Sequence, residues 1–103
     1  MDITVQELRQ KLESGEDFLL LDVREPYEFD EFNLGGQLMP LGVLPARIWE
    51  IEDHKGDEVV VYCRSGGRSG MARGLLEAQG FSNVRNLTGG VLAWLDAFGP
   101  TKP

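Results

Sequence analysis

The only cysteine of this chain lies between a run of β-branched residues and a glycine-rich loop that carries arginines. The segment reads Val-Val-Val-Tyr-Cys-Arg-Ser-Gly-Gly-Arg-Ser over residues 59–69. This pattern predicts a buried strand that ends at Cys63, a turn through the two glycines, and a helix that begins near Arg68. Loop N–H groups, the helix N-terminus and the guanidinium groups of Arg64 and Arg68 would favour a thiolate. Cys63 is therefore the candidate nucleophile, and we expect its site to be partly exposed.

Positive charge is concentrated around this cysteine in a chain that is acidic overall. The formal net charge is −7, but residues 59–76 contain three arginines and no Asp, Glu or Lys, so this segment carries +3 and the remainder −10. The acidic balance argues against nucleic acid or an anionic membrane as a partner. The local basic segment instead predicts that a small anion is attracted to the cysteine loop.

Length and composition limit the possibilities further. A chain of 103 residues that is 42% hydrophobic and 26% charged is expected to form a single domain over residues 1–103 with one core. No apolar stretch is long enough to span a bilayer, and the first residues lack the basic and apolar regions of a signal peptide. A single cysteine cannot form an internal disulfide, so we expect a reducing, cytoplasmic location.

The elements that must position the cysteine alternate between helix and strand. A capping box from Thr4 to Glu7 begins the first helix, which ends at Gly15. Further helices are predicted at 26–31, from 45, at 68–79 and after a cap at Thr88, with strands at 18–23, 37–41, 59–63 and 84–87. This alternation implies a parallel sheet with helices on both faces. Ligands bind beyond the carboxyl ends of such strands, where Cys63 is placed.

Three stretches together resemble the signature stretches of the rhodanese (sulfurtransferase) family. They are Leu-Asp-Val-Arg-Glu-Pro-Tyr-Glu-Phe at 21–29, the cysteine segment at 60–69, and Leu-Thr-Gly-Gly-Val-Leu-Ala-Trp at 87–94. The match covers nearly the whole chain, with the stretches in the family's order and spacing. The resemblance implies an α/β fold of three layers, α/β/α, with a five-stranded parallel sheet in which residues 2–4 supply a short edge strand.

The resemblance also implies an activity. Members of the family transfer a sulfane sulfur from a donor such as thiosulfate to a thiophilic acceptor, through a persulfide on the loop cysteine. That role carries over to Cys63. The residues implied to cradle the persulfide are Arg64, Ser65, Gly66, Gly67, Arg68 and Ser69. The implied partners are a small anionic sulfur donor, a thiol or cyanide acceptor and, in a relay, another sulfur-carrying protein.

One segment departs from the family pattern. Where relatives usually read Gly-His-Ile-Pro-Gly-Ala before the next strand, this chain reads Phe-Asn-Leu-Gly-Gly-Gln at residues 32–37. The connection to that strand is one residue shorter overall. This loop lies near the pocket in the family. We therefore expect it to affect the preference for donor and acceptor.

Two other classes of function stay open at this point. The first is a non-enzymatic persulfide carrier or docking module, which the sequence does not distinguish from an enzyme. The second is a phosphatase or arsenate reductase. Only four residues separate Cys63 from Arg68, one fewer than in the related phosphatases, and no Asp or Glu in residues 59–76 could protonate a leaving group. Both features favour sulfur transfer over phosphate chemistry.

Residues outside these segments are interpreted as structural. His54 lies in a polar loop, and one His with one Cys forms no metal-binding pattern, so we expect no metal site and no cofactor.

Three pairs of residues could serve either structure or function. Asp22 and Arg24 could form a functional pair, but we expect an ion pair or cap that positions loops. Trp49 and Trp94 are expected in the core, where Trp49 would lie with Ile48 and Ile51 on one helix face. The two glycines at 89–90 are expected to allow tight packing of a helix on a strand.

Overall fold

The computed structural model describes residues 2–103, and all its strands belong to one parallel sheet. The strands are β1 (Asp2–Ile3), β2 (Leu19–Asp22), β3 (Gln37–Leu38), β4 (Glu58–Tyr62) and β5 (Asn83–Leu87). Their order across the sheet is β1-β5-β4-β2-β3, so β4 is central. The predicted five-stranded parallel sheet is therefore confirmed, including the edge strand near the N-terminus.

Helices cover both faces of this sheet. They are α1 (Val5–Glu13), α2 (Pro26–Glu31), α3 (Leu44–Arg47), a 3-10 helix (Ile48–His54), α4 (Gly67–Ala78) and α5 (Gly90–Phe98). No helix in residues 2–103 is long and apolar enough to cross a membrane.

Alternation along β4 explains the three layers. Val59 and Val61 face a core formed with α3, the 3-10 helix and α4. Val60 and Tyr62 face a second core formed with α1 and α5. Successive side chains of a strand point to opposite faces, so a run of apolar residues in a central strand supplies both cores. Cys63 follows directly and packs in the first core, on the side of α4.

Local signals define the helix ends as the sequence predicts. The Thr4 hydroxyl accepts a hydrogen bond from the Glu7 amide at 3.1 Å, and the Glu7 carboxylate accepts one from the Thr4 amide at 2.9 Å. At the end of α4, the Phe81 amide donates to the Leu76 carbonyl at 3.1 Å, which with Gly80 forms a Schellman motif. These caps satisfy backbone groups that a helix leaves unpaired at its ends.

The start of α5 differs from the prediction. The helix begins at Gly90 with Gly89 as its N-cap, and not with a cap at Thr88, because the Thr88 amide continues the pairing with β1 by donating to the Ile3 carbonyl. Gly90 has φ +57°, and a Cβ there would collide with the carbonyl oxygens of Cys63 and Arg64. Tight packing is therefore confirmed at Gly90, against the loop that follows β4, whereas a Cβ at Gly89 would meet Ala93 of the same helix.

Two further predictions are wrong in detail. Strand β3 ends at Leu38 and not at Leu41, although the Met39 and Leu41 amides still donate to the Asp22 and Val23 carbonyls at 2.8 and 3.0 Å. Trp49 is 68% exposed, whereas Trp94 is buried as expected. In a 3-10 helix residues three apart share a face, so Ile48 and Ile51 point inward and Trp49 points to solvent.

Candidate functional site

Cys63 lies one residue beyond β4, at the carboxyl edge of the sheet where the sequence places it. Its residue exposure is 1%, so the prediction of a partly exposed cysteine is wrong. The cause is the loop itself, which folds over the sulfur before α4 begins. Gly66 makes this turn possible with φ +114°, a conformation that residues with a Cβ rarely adopt.

Three donors from this loop and from the first turn of α4 reach the sulfur. The Gly66 amide lies 3.1 Å from Sγ, the Ser69 amide 3.4 Å, and the Ser69 hydroxyl 3.3 Å. Burial alone would raise the pKa of the Cys63 thiol, but hydrogen bonds from Ser69 and from the Gly66 and Ser65 amides outweigh it. The pKa therefore lies below the ordinary value, as the sequence predicts, and the hydrogen bonds of the loop are the main cause.

Asn86 of β5 fixes the shape of this loop. Its Nδ2 donates to the Gly66 carbonyl at 3.1 Å, and its Oδ1 accepts a 2.6 Å hydrogen bond from the Ser69 hydroxyl. The register of β5 pairs Asn86 with Val61, two residues before the cysteine. Sequence reasoning missed this residue. Its signal was a polar residue near the carboxyl end of the strand beside β4.

Arg68 does not carry an unopposed positive charge toward the sulfur. Both of its terminal nitrogens bind the Glu28 carboxylate, at 2.7 and 2.9 Å. This pair lowers the pKa of Glu28 to about 2 and raises that of Arg68. The expectation of two guanidinium groups facing the thiol is thus corrected: Glu28, also missed in the sequence, compensates one of them and ties α2 to the start of α4.

Arg64 is exposed and forms neither an ion pair nor a side-chain hydrogen bond within residues 2–103. Its backbone is held firmly, since its carbonyl accepts from the Leu92 amide at 3.0 Å, as the Cys63 carbonyl does from Val91. Of the other predicted loop residues, Ser65 and Gly67 are exposed and Ser69 is buried. The structure therefore brings Gly66 and Ser69 within hydrogen-bond distance of the sulfur, whereas the Arg68 side chain is bound to Glu28.

The atypical segment 32–37 is anchored to the cysteine strand. Arg24 donates to both Asp22 carboxylate oxygens and, through Nη2, to the Phe32 carbonyl at 2.8 Å. The Tyr62 hydroxyl donates to the Gly35 carbonyl at 2.9 Å. The expected role of the Asp22–Arg24 pair in positioning a loop is confirmed, and it extends to the segment that departs from the family pattern.

A cleft of about 330 Å³ opens beside the cysteine loop. Its charged lining is Arg24, Glu28, Glu31 and Arg64, and its apolar lining is Tyr27, Phe32, Val91, Leu92 and Leu95. It lies between α2, α5 and the loop and is open to solvent.

The one histidine of the chain lies away from this site. His54 precedes β4 and so lies toward the opposite edge of the sheet, where its Nδ1 is 3.1 Å from an Asp57 carboxylate oxygen. Residues 2–103 contain no group of three His, Cys, Asp or Glu side chains arranged to hold a metal ion.

Comparisons with known proteins agree with this geometry. The family model for a rhodanese-like domain matches residues 4–97. A protein named sulfurtransferase from Allochromatium vinosum is 42% identical over 94 residues, which cover 90% of this chain and 86% of the relative. The adenylyltransferase and sulfurtransferase MOCS3-2 of Zea mays is 33% identical over 98% of this chain, but over only 22% of its own length.

Among solved structures, the human single-domain sulfurtransferase TSTD1 superposes with a TM-score of 0.77 and 28% identity. The alignment covers 92% of this chain and 95% of that protein. The sulfurtransferase names of these relatives fit a cysteine whose pKa is lowered by hydrogen bonds to its sulfur. The chain belongs to the rhodanese-like family.

Proposed function

We propose that this protein transfers a sulfane sulfur from thiosulfate or a related anionic donor to a thiophilic acceptor, through a persulfide on Cys63. The single observation that carries the proposal is the arrangement of donors around the sulfur. Two amides and one hydroxyl lie within 3.4 Å of Sγ, so the loop is suited to an anionic sulfur. Thiolate chemistry requires a lowered thiol pKa, and these groups provide it.

In the first step the Cys63 thiolate attacks the outer sulfur of thiosulfate. The bond between Sγ and that sulfur forms while the bond to the sulfonate sulfur breaks, and its electron pair leaves with sulfite. A thiolate and a dianion thus become a persulfide anion and a second dianion, so the charge balances. Arg64 is suited to attracting the donor because its charge is exposed and unpaired within residues 2–103.

In the second step the acceptor attacks the outer sulfur of the persulfide. The sulfur–sulfur bond breaks, and its electron pair returns to Sγ as the thiolate. The same hydrogen bonds that lower the thiol pKa stabilise this leaving group. Attack on the donor needs no general base, because Cys63 reacts as a thiolate. A thiol acceptor must first lose its proton to water. The chemistry needs a reduced thiolate, so we place it in a reducing compartment, the cytoplasm.

The experiment combines turnover with mass. Thiosulfate and cyanide should yield thiocyanate, and thiosulfate alone should add the mass of one sulfur to the intact protein. The matched control is Cys63→Ser, whose hydroxyl can accept the same loop hydrogen bonds and keep the protein folded. Loss of both signals in this variant supports the proposal, whereas turnover near wild type would overturn it.

The same experiment separates an enzyme from a carrier. A persulfide carrier would gain one sulfur in mass and turn over negligibly with thiosulfate and cyanide. Rapid thiocyanate formation excludes that reading. We expect turnover, because the cleft bordered by Arg64, the residue that follows Cys63, is open to a small acceptor.

A further inference from the structure

The inner part of the cleft contains a buried guanidinium with one unused nitrogen. Arg24 is 4% exposed and lines the cleft. Its Nε and Nη2 donate to Asp22 and the Phe32 carbonyl, whereas Nη1 has no hydrogen-bond partner within residues 2–103. Nη1 is therefore the nitrogen left to face the cleft. Unlike Arg85 Nε, Nη1 is not fully buried, so it is open to solvent and a ligand oxygen can take the place of water there.

This guanidinium is held in a fixed orientation. The Asp22 carboxylate binds it through two nitrogens at 2.8–3.2 Å, and its Cζ lies 5.6 Å from the centroid of the Tyr62 ring. Since Asp22 already balances its charge, Nη1 acts as a directed donor more than as a free charge. A fixed donor loses little conformational entropy when a ligand binds.

The remaining charges divide the cleft into an inner part and a rim. Glu28 is bound to Arg68 and so adds little negative potential. Glu31 and Arg64 are exposed and give the rim one charge of each sign. An oxygen anion is therefore accommodated best at the inner part, on Arg24.

The walls between these charges are apolar and continue to the cysteine loop. Val91 and Leu92 line the cleft with their side chains, and their amides bind the carbonyls of Cys63 and Arg64 at 3.0 Å. A ligand on this wall therefore lies next to the mouth of the loop. A ligand with an anionic end on Arg24 and a reactive end at the loop needs an apolar chain between the two ends to lie on this wall.

We propose that this cleft binds the sulfur acceptor, and that the acceptor is a small thiol that carries a carboxylate. The carboxylate accepts from Arg24 Nη1, the carbon chain lies on Leu92, and the thiol faces Cys63. This assignment rests on the proposed function for its reaction. The thiol sulfur bonds to the outer persulfide sulfur, the bond to Sγ breaks, and its electron pair returns to Cys63. The thiol proton passes through water to the outer persulfide sulfur, so that a thiolate attacks a neutral persulfide. The products are an acceptor hydropersulfide and the Cys63 thiolate.

The test compares two acceptors that differ only in their end group, 3-mercaptopropionate and 3-mercapto-1-propanol. With thiosulfate as donor, we expect kcat/KM to be about tenfold higher for the acid, the size expected for one hydrogen bond between charged groups. Equal kcat/KM values for the two thiols would overturn the assignment.

Three variants locate the effect. Arg24→Lys removes Nη1 and should bring the ratio of the two kcat/KM values close to one. Leu92→Glu places a carboxylate on the wall and should lower the ratio about tenfold, whereas its control Leu75→Glu, at a similarly exposed leucine of α4, should leave the ratio unchanged. An equal fall in the ratio for both glutamate variants would contradict the proposed site. Glu31→Gln removes a repulsive charge at the rim and should raise the ratio two- to threefold.

A binding measurement keeps this assignment separate from the proposed reaction. The unreactive acid 3-(methylthio)propionate should shift the amide resonances of Val91 and Leu92, and its alcohol analogue should not. These shifts are expected even if thiosulfate fails to load Cys63, a result that would count against the proposed function alone. If cyanide is turned over but neither the acid thiol nor this analogue shows a preference, the acceptor assignment fails and the proposed function stands.

Discussion

The Ser69 hydroxyl lies 2.6 Å from Asn86 Oδ1 and 3.3 Å from Cys63 Sγ, yet it has one proton to donate. The shorter contact is the better hydrogen bond for a neutral thiol, whose own proton can then point to Ser69 Oγ. When Cys63 ionises, the hydroxyl must turn from Asn86 toward the sulfur. Asn86 therefore competes with the thiolate for a donor while it holds the loop in shape.

This competition predicts opposite effects of two substitutions. Ser69→Ala removes the donor and should raise the pKa of Cys63 by about one, since a hydrogen bond to a charged group is worth roughly 1.5–3 kcal/mol. Asn86→Leu frees the hydroxyl for the sulfur and should lower that pKa. Thiolate absorbance as a function of pH measures both. When Ser69→Ala is already present, adding Asn86→Leu should no longer lower the pKa of Cys63. If the pKa still falls, competition for the Ser69 hydroxyl is not the cause.

Arg64 should act through attraction of the donor. Arg64→Gln is expected to raise the KM for thiosulfate about tenfold while the pKa of Cys63 changes little, because the loop hydrogen bonds set that pKa. The effect should shrink as salt is added, since exposed charges are screened. Steady-state kinetics at low and high ionic strength measure this, and a KM increase that does not depend on salt would contradict it.

Arg68 and Glu28 should behave as a unit in catalysis. Arg68→Gln leaves the Glu28 carboxylate unpaired beside the loop, and this extra negative charge should raise the pKa of Cys63 and slow persulfide formation. Adding Glu28→Gln should restore part of the loss. The rate at which the intact protein gains the mass of one sulfur measures persulfide formation in both variants. If the double variant is as slow as Arg68→Gln or slower, the effect is not electrostatic.

The ion pair between Arg68 and Glu28 should make the free energy of unfolding depend on pH in the acidic range. Glu28 has a pKa of about 2 in the folded protein and 4.5 as its ordinary value, so its pair stabilises the fold above pH 4.5 and loses this effect as pH falls toward 2. Glu28→Gln should thus lower the melting temperature at pH 7 and have little effect near pH 2. Thermal unfolding followed by circular dichroism tests this, with Glu31→Gln as an exposed control. An equal difference at both pH values would exclude it.

The short loop should exclude phosphatase activity. Four residues separate Cys63 from Arg68, and the Arg68 guanidinium is occupied by Glu28. A phosphoryl group needs donors for three equatorial oxygens, which this ring is too small to supply. We expect no measurable hydrolysis of p-nitrophenyl phosphate. Hydrolysis that disappears in Cys63→Ser would favour a phosphatase instead.

The fold could be predicted largely because its signals are local or periodic. The capping box at Thr4 and the apolar run before Cys63 depend on neighbours in the chain, and the structure contains both as expected. The helix start at Gly90 and the exposure of Trp49 were missed. The first depends on pairing with a distant strand, and the second on a change from α-helical to 3-10 geometry.

The site was predictable only in part for a related reason. Loop amides around a cysteine follow from consecutive residues, so the lowered pKa of Cys63 could be anticipated. Glu28 and Asn86 approach from other elements, 40 and 17 residues away from their partners Arg68 and Ser69. Their contacts are set by the packing of α2 and by the register of β5, which one sequence does not reveal.

The two edge strands, β1 and β3, are each only two residues long. An unpaired sheet edge is a template on which another chain can add a strand, and longer edges present more free amides and carbonyls. This sheet has its longest strands, β4 and β5, inside and offers little backbone at either margin. The apolar strand β4, which precedes Cys63, is therefore shielded inside the sheet from pairing with a strand of another molecule. For this reason we expect the native protein to resist aggregation.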